Sequence, residues 1–412
     1  MKNMKWSNRI FAGVLIVIWI AYAVTNMVTQ APALNVGDLR GWDFDSRLEN
    51  MKQTANGSFL FHNFFQDANG YKNLVTDRKM IQVGNNLSVI QGKDGYLYYS
   101  NNFPYENYDF STQALQLREV QNVVQEKGGS MLFVNFPDLY IEGFSESMSE
   151  INLPISNLNA RSNAMLYALQ GYDIATMDSR QVLTESNLKQ SEFRYKTEPH
   201  WTIQAGFEVY LSLLDWMKER GSSIGNNDFF ADRNNYTQTV YRNAFTGQMG
   251  KRVGIPYSGN DDFVLIEPSF DTNFALTYNE KSTLRPKEGD FSSVLLEKRW
   301  LSQSSPYERN MYNTYMTSLY TYRQINNNLN LEGPKILIIG DTYMLPVASL
   351  LATAASEVTL LWPYGLPDMG EDIDSLIDYI EASDFEHVII GMSPGSMYDG
   401  GFNFLEGIDI PE

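Results

Sequence analysis

The stretch from Lys335 to Ile390 constrains this chain most. Lys335-Ile-Leu-Ile-Ile339 is a short continuous apolar run, the pattern of a strand buried on both faces. Gly340-Asp341-Thr342 reads as a tight turn and Met344–Ala355 as a helix. Val358-Thr-Leu-Leu-Trp362, Ile373–Ala382 and His387-Val-Ile-Ile390 then repeat strand, helix and strand. A βαβαβ run requires parallel strands joined by crossover helices. The same alternation occurs upstream. Thr112–Lys127 has helical spacing and ends at Gly128-Gly129, and Met131–Phe136 reads as a buried strand stopped by Pro137. Asn159–Gly171 reads as a helix and Tyr172–Met177 as a further strand. The predicted fold class is therefore α/β, a parallel sheet flanked by helices.

The N-terminus carries a different signal. Lys2, Lys5 and Arg9 precede an apolar run from Ile10 to Val24, extending towards Val28. Basic residues followed by a largely apolar stretch, close to the ~20 residues that span a bilayer, match an export segment. Ala21-Tyr-Ala23 and Ala31-Pro-Ala33 offer cleavage sites, but the length favours an uncleaved anchor over residues 1–30. Residues 31–84 then form a stalk and helical lead-in, and 85–412 the main domain. Within it, 88–99 reads as a hairpin around Gly92-Lys-Asp-Gly95, and 221–330, rich in Asn, Tyr and Ser, as an irregular insertion. The expected location is the cell membrane, single-pass, with the domain outside the cytoplasm.

The net charge of −18 makes nucleic acid and anionic phospholipid poor partners. Cysteine is absent, which excludes disulfides, thiol nucleophiles and thiolate metal sites. With three histidines in all and no His-x-x-x-His spacing, a metal site is not expected either.

Two segments can carry chemistry. Thr342 lies on the turn after the 335–339 strand, at the carboxyl end of a parallel strand and the start of a helix. Its hydroxyl can act as a nucleophile there, with free backbone N–H groups to stabilise an oxyanion, or it can simply cap the helix. Thr197-Glu-Pro-His-Trp-Thr202 precedes the helix Ile203–Arg220. Glu198 can orient the His200 ring through Nδ1 and leave Nε2 to take a proton; alternatively His200 caps the helix. His387 opens a strand and reads as structural, and His62, among aromatics near the stalk, reads as a core or surface residue.

Together these segments resemble the polysaccharide O-acetylation proteins of the alginate type and the related DHHW proteins, within the circularly permuted SGNH hydrolase-like superfamily. Gly92-Lys-Asp-Gly-Tyr-Leu-Tyr98 resembles the family's hairpin, Met131–Pro137 the strand after it, Thr197–Gly206 its Thr-Asp-x-His-Trp-Thr segment, and Ile338–Tyr343 its Gly-Asp-Ser-Tyr turn. The resemblance implies a triad with Thr342 at the serine position, His200 as base and Glu198 at the aspartate position. It implies an oxyanion hole from the Thr342 backbone, with Asn135 as the candidate side-chain donor. Trp201, Asp341 and Tyr343, beside the triad in both motifs, are candidate substrate-binding residues. The implied activity is O-acetyl transfer to, or removal from, a cell-surface polysaccharide. A membrane-bound partner would supply acetyl, and no cofactor is expected. Threonine for serine departs from the family, because its methyl crowds the carbonyl and restricts χ1. A catalytically inactive glycan-binding or scaffold relative is the alternative.

Overall fold

The computed structural model describes residues 62–410, apart from 101–107, 142–144, 146–157, 281–282, 317–319 and 366–373, together with a few positions between 14 and 25. Helix α1 (His62–Val75) leads into a small antiparallel sheet of β1 (Met80–Gln82), β2 (Ser88–Gln91) and β3 (Leu97–Tyr99), where the predicted hairpin lies. Helix α2 (Ser111–Glu126) precedes β4 (Ser130–Asn135), and α3 (Asn159–Gln170) precedes β5 (Thr176–Asp178). Strand β5 is shorter than the sequence suggests. Residues 171–173 form a turn, with Asp173 at φ 53°, a conformation no strand residue adopts.

Helix α4 (Ile203–Glu219) follows, its side towards the sheet filled by Phe207, Tyr210, Leu214 and Met217. The segment 221–330 contains the paired strands β6 (Tyr236–Phe245) and β7 (Asp261–Pro268) with the short helix α5 (Gln248–Val253) between them. It also contains β8 (Phe274–Glu280), β9 (Thr283–Gly289) and β10 (Tyr322–Asn327). The C-terminal run keeps the order read, with β11 (Lys335–Gly340), α6 (Met344–Ala354), β12 (Glu357–Leu361), α7 (Leu376–Glu381), which is shorter than the 373–382 expected, and β13 (His387–Met392).

The main sheet has the order β5-β4-β13-β11-β12-β10-β8-β9. Its first five strands are parallel, and β10, β8 and β9 extend it antiparallel. Strand β4 alternates across the two cores, as a pleated strand must. Leu132, Val134 and Phe136 pack with α4 and α6 on one face, while Met131 and Phe133 pack with α2 and α3 on the other. From β11 the chain steps to β12 on one side and then to β13 on the other. The carboxyl end of β11 is therefore a topological switch point, the crevice where such sheets place their sites.

His387 lies at the opposite edge, at the amino end of β13, and is only 1% exposed. Its Nε2 is 2.9 Å from Ser222 Oγ and 3.1 Å from Glu386 Oε1, and the Trp216 ring meets it edge-on. Burial holds its pKa below the ordinary 6.5, reinforced by Arg220 and opposed by Glu386. The fold thus favours the neutral ring. Its contribution to stability is complete above the unfolded value of 6.5 and is lost as pH falls through the window below it. The urea midpoint of the wild type should drop between about pH 7 and pH 5. His387→Gln should flatten that slope, and equal slopes in the two proteins would assign the effect to other groups.

Candidate active site

Two loops meet at the carboxyl end of β11. The first, Thr197–Trp201, is strapped down before α4 begins. Thr197 N–H and Oγ1 donate to Asp261 Oδ2, at 2.8 and 2.5 Å, and Lys196 N–H donates to Oδ1 at 2.7 Å. The Thr197 carbonyl accepts from Met249 and Gly250 N–H. Thr202 caps α4 by accepting from Ala205 N–H, so His200 has no capping role.

In the second loop, Asp341 Oδ1 accepts from Tyr343 N–H at 3.0 Å and Oδ2 from Ser393 N–H at 2.8 Å. Tyr343, not Thr342, occupies the cap position of α6. Thr342 keeps its hydroxyl for another partner. His200 Nε2 lies 2.6 Å from Thr342 Oγ1, and His200 Nδ1 lies 2.6 Å from Glu198 Oε1. Glu198 is buried, and its other oxygen accepts from Gln248 N–H at 2.8 Å. The His200 side chain retains 23% exposure, so the imidazole is reachable from solvent while the carboxylate behind it is not.

The amides of this turn are spoken for, with one exception. Asp341 N–H donates to Gly391 O, Tyr343 N–H to Asp341 Oδ1, Met344 N–H to Asp341 O and Leu345 N–H to Thr342 O. Thr342 N–H has no acceptor among the described residues. An N–H left over beside a hydroxyl is the geometry of an oxyanion donor.

Aromatic rings fix the imidazole. Tyr312 stacks on His200 with centroids 4.2 Å apart and planes 16° from parallel. The Tyr312 hydroxyl accepts from Trp201 Nε1–H at 2.9 Å. Tyr343 stacks on Phe136 at 5.5 Å, and its hydroxyl donates to the Pro199 carbonyl at 2.9 Å. Trp201 and Asp341 are 2% and 3% exposed with their polar atoms engaged, so they build the site from behind. Asn135 is not brought to the pair. It extends the β4 face that carries Met131 and Phe133, and its Nδ2 donates to Asp178 Oδ1 at 3.0 Å. Among the described residues no cluster of His, Asp and Glu is arranged to hold a metal ion.

Residues 89–241 match the family model of the SGNH hydrolase-like domain of acetyltransferase AlgX. That span includes Glu198 and His200 and stops short of Thr342. Over those residues the chain is similar to the SGNH hydrolase-like domain of AlgX. Solved structures that share the fold include the following two. A DHHW family protein from Eubacterium siraeum superposes with a TM-score of 0.57 at 14% identity, over 81% of this chain and 98% of that one. PatB1 of Bacillus cereus gives a TM-score of 0.58 at 16% identity, over 77% and 100%. No curated protein matches the sequence.

Sequence reasoning missed Tyr312 and the Gln248 amide, both inside the 221–330 segment. Tyr312→Phe should keep the stack but strip Trp201 Nε1–H of its buried acceptor, a cost of about 1–3 kcal/mol. Chemical denaturation should show that loss for Tyr312→Phe and a larger one for Tyr312→Leu, which also removes the ring against His200.

Proposed function

We propose that this protein transfers an acetyl group to a hydroxyl of a cell-surface polysaccharide through an acyl-threonine intermediate. The observation that carries the reading is the unbroken line from Glu198 through His200 to Thr342, ending at an uncommitted amide. In the first half-reaction Thr342 Oγ1 attacks the carbonyl carbon of the acyl donor while His200 Nε2 takes its proton. Thr342 N–H receives the oxyanion. Collapse breaks the bond to the donor's leaving group, which takes the proton from His200. Glu198 keeps the ring in its tautomer and offsets the imidazolium charge. In the second half-reaction a sugar hydroxyl attacks the acyl-threonine, His200 takes its proton, and Thr342 is restored. Water in place of the sugar gives hydrolysis.

The name of the matching family model, acetyltransferase AlgX, supports acetyl as the group carried. The donor is a membrane-bound acetyl carrier protein, and residues 1–30 anchor the chain beside it. Among the described residues no helix is long and apolar enough to cross a membrane, and most of the anchor segment lies outside them. Its described members Val14, Ile16, Val17, Ile18 and Ile20 are exposed apolar residues, which a bilayer would cover.

The test is trapping. Incubation with p-nitrophenyl acetate, quenching and peptide mass analysis should find one acetyl group on Thr342. Acetate release without that adduct, or no release at all, would count against the reading.

A further inference from the structure

Helix α1 is inverted for a helix packed on a protein surface. Its inward side is polar or small. Gly70 and Asn73 are buried, and a Cβ on Gly70 would lie 2.7 Å from the Val253 carbonyl oxygen. Gln66 donates to the Arg252 carbonyl, and Asp67 Oδ1 accepts from Ile255 N–H at 3.0 Å and from the Tyr307 hydroxyl at 2.5 Å. The apolar residues face away. Phe64, Ala68, Tyr71 and Val75 follow the i, i+4, i+7, i+11 spacing of a single stripe. Phe64 is 65%, Tyr71 61% and Val75 60% exposed, with Phe65 and Leu74 flanking them about half exposed. Lys72 on the helix and Arg78 and Lys79 just beyond its end are exposed, Lys79 paired with Asp77 at 2.9 Å. An amphipathic helix normally buries its apolar stripe against the body, so this one has an external counterpart.

We propose that this counterpart is the surface of a lipid bilayer, with α1 lying flat in the headgroup region. Two observations favour it. Tyr22, inside the N-terminal apolar run, meets Phe65 edge-on at 5.8 Å, so the exposed apolar surface of that run continues onto α1. Basic residues beside an apolar stripe are what an interfacial helix presents, their stems on the acyl boundary and their charges among the phosphates. The inference rests on the membrane attachment proposed above and is independent of the acyl chemistry. The segment 248–258 that carries α1 begins with the Gln248 amide that holds Glu198, so one stretch of chain links the helix to the candidate site.

The chain has no cysteine, which makes the test direct. Full-length Tyr71→Cys and Phe64→Cys variants, labelled with an environment-sensitive fluorophore, are placed in phospholipid nanodiscs holding one copy each. Tyr167→Cys on α3, where the native ring is 80% exposed, is the aqueous control. Immersion by about 5–10 Å predicts a blue shift, and several-fold stronger quenching by a headgroup nitroxide lipid, at positions 71 and 64 but not 167. Chains that sit in the disc but leave position 71 as open to aqueous iodide as position 167 would overturn the docking and spare the anchor. Failure to enter lipid at all would overturn both. A blue shift confined to vesicles carrying many copies, absent from one-copy discs, would assign the face to a second molecule and overturn the proposal.

Discussion

Thr342→Ala should lose acetyl release from an activated ester by about 10⁴-fold or more, the scale seen when a covalent nucleophile is deleted. The expectation follows from position. Thr342 Oγ1 is the atom hydrogen-bonded to His200 Nε2, at 2.6 Å, and the same residue supplies the turn's uncommitted N–H. Alanine keeps the amide and removes the hydroxyl, so residual rate reports the oxyanion donor alone. Thr342→Ser is the informative partner. Serine keeps the hydroxyl and frees χ1, and it removes a methyl group from the path of the incoming carbonyl. Release should be at least as fast as in the wild type. Activity confined to Thr342→Ser would show a site whose geometry outlives its chemistry. A wild-type rate that survives Thr342→Ala would remove Thr342 from the reaction.

Gly247→Ala should cost both fold and turnover. A Cβ there would lie 2.4 Å from Glu198 Cβ and 2.5 Å from Glu198 Cα and N. The conformation of Gly247 is ordinary, φ −70° and ψ 178°, so the difficulty is space. Neither side can yield easily. Gly247 N–H donates to Thr197 Oγ1 at 2.7 Å, and Gln248 N–H holds Glu198 Oε2. Overpacking of this kind costs about 1–3 kcal/mol. A carboxylate moved by about 1 Å also turns the imidazole, which can lower kcat about 10²-fold. Denaturant midpoints and steady-state kinetics read the two effects. Gly225→Ala, which meets nothing within 4 Å, is the control that should show neither.

How much of this was legible in the sequence depends on what each feature needs. The parallel core was legible because β4, β11, β12 and β13 are unbroken apolar runs between helical spacings, and burial on both faces leaves no other reading. The irregular look of 221–330 has a physical cause. Strand β9 is an edge strand with Thr283, Leu284, Arg285 and Pro286 exposed, so it lacks the apolar alternation that marks a half-buried strand. That segment nevertheless extends the main sheet through β8, β9 and β10 and sends Tyr312 against the imidazole. Glu198 and His200 were legible as a pair because they are two residues apart, and Thr342 because a hydroxyl on a strand–helix turn is a local pattern. Their meeting was not local, and only the family resemblance placed them together. The Gln248 amide and the space at Gly247 have no sequence signal, since any residue has an N–H and a glycine does not name its neighbour.

His200 and Thr342 are separated by 142 positions, and the groups that tune them come from between, at Gln248 and Tyr312. Such a centre has high contact order, and its parts acquire their geometry only after long loops have closed. Synthesis runs from the N-terminus, so the histidine is made well before the hydroxyl it touches. A nascent or partly folded chain therefore carries an imidazole with nothing to deprotonate. The proposed acyl chemistry would then switch on as a late event, when β11 slots between β12 and β13 and brings the turn to the ring. Onset of ester cleavage during refolding would then trail the recovery of helical signal, making turnover a clock for completion of the sheet.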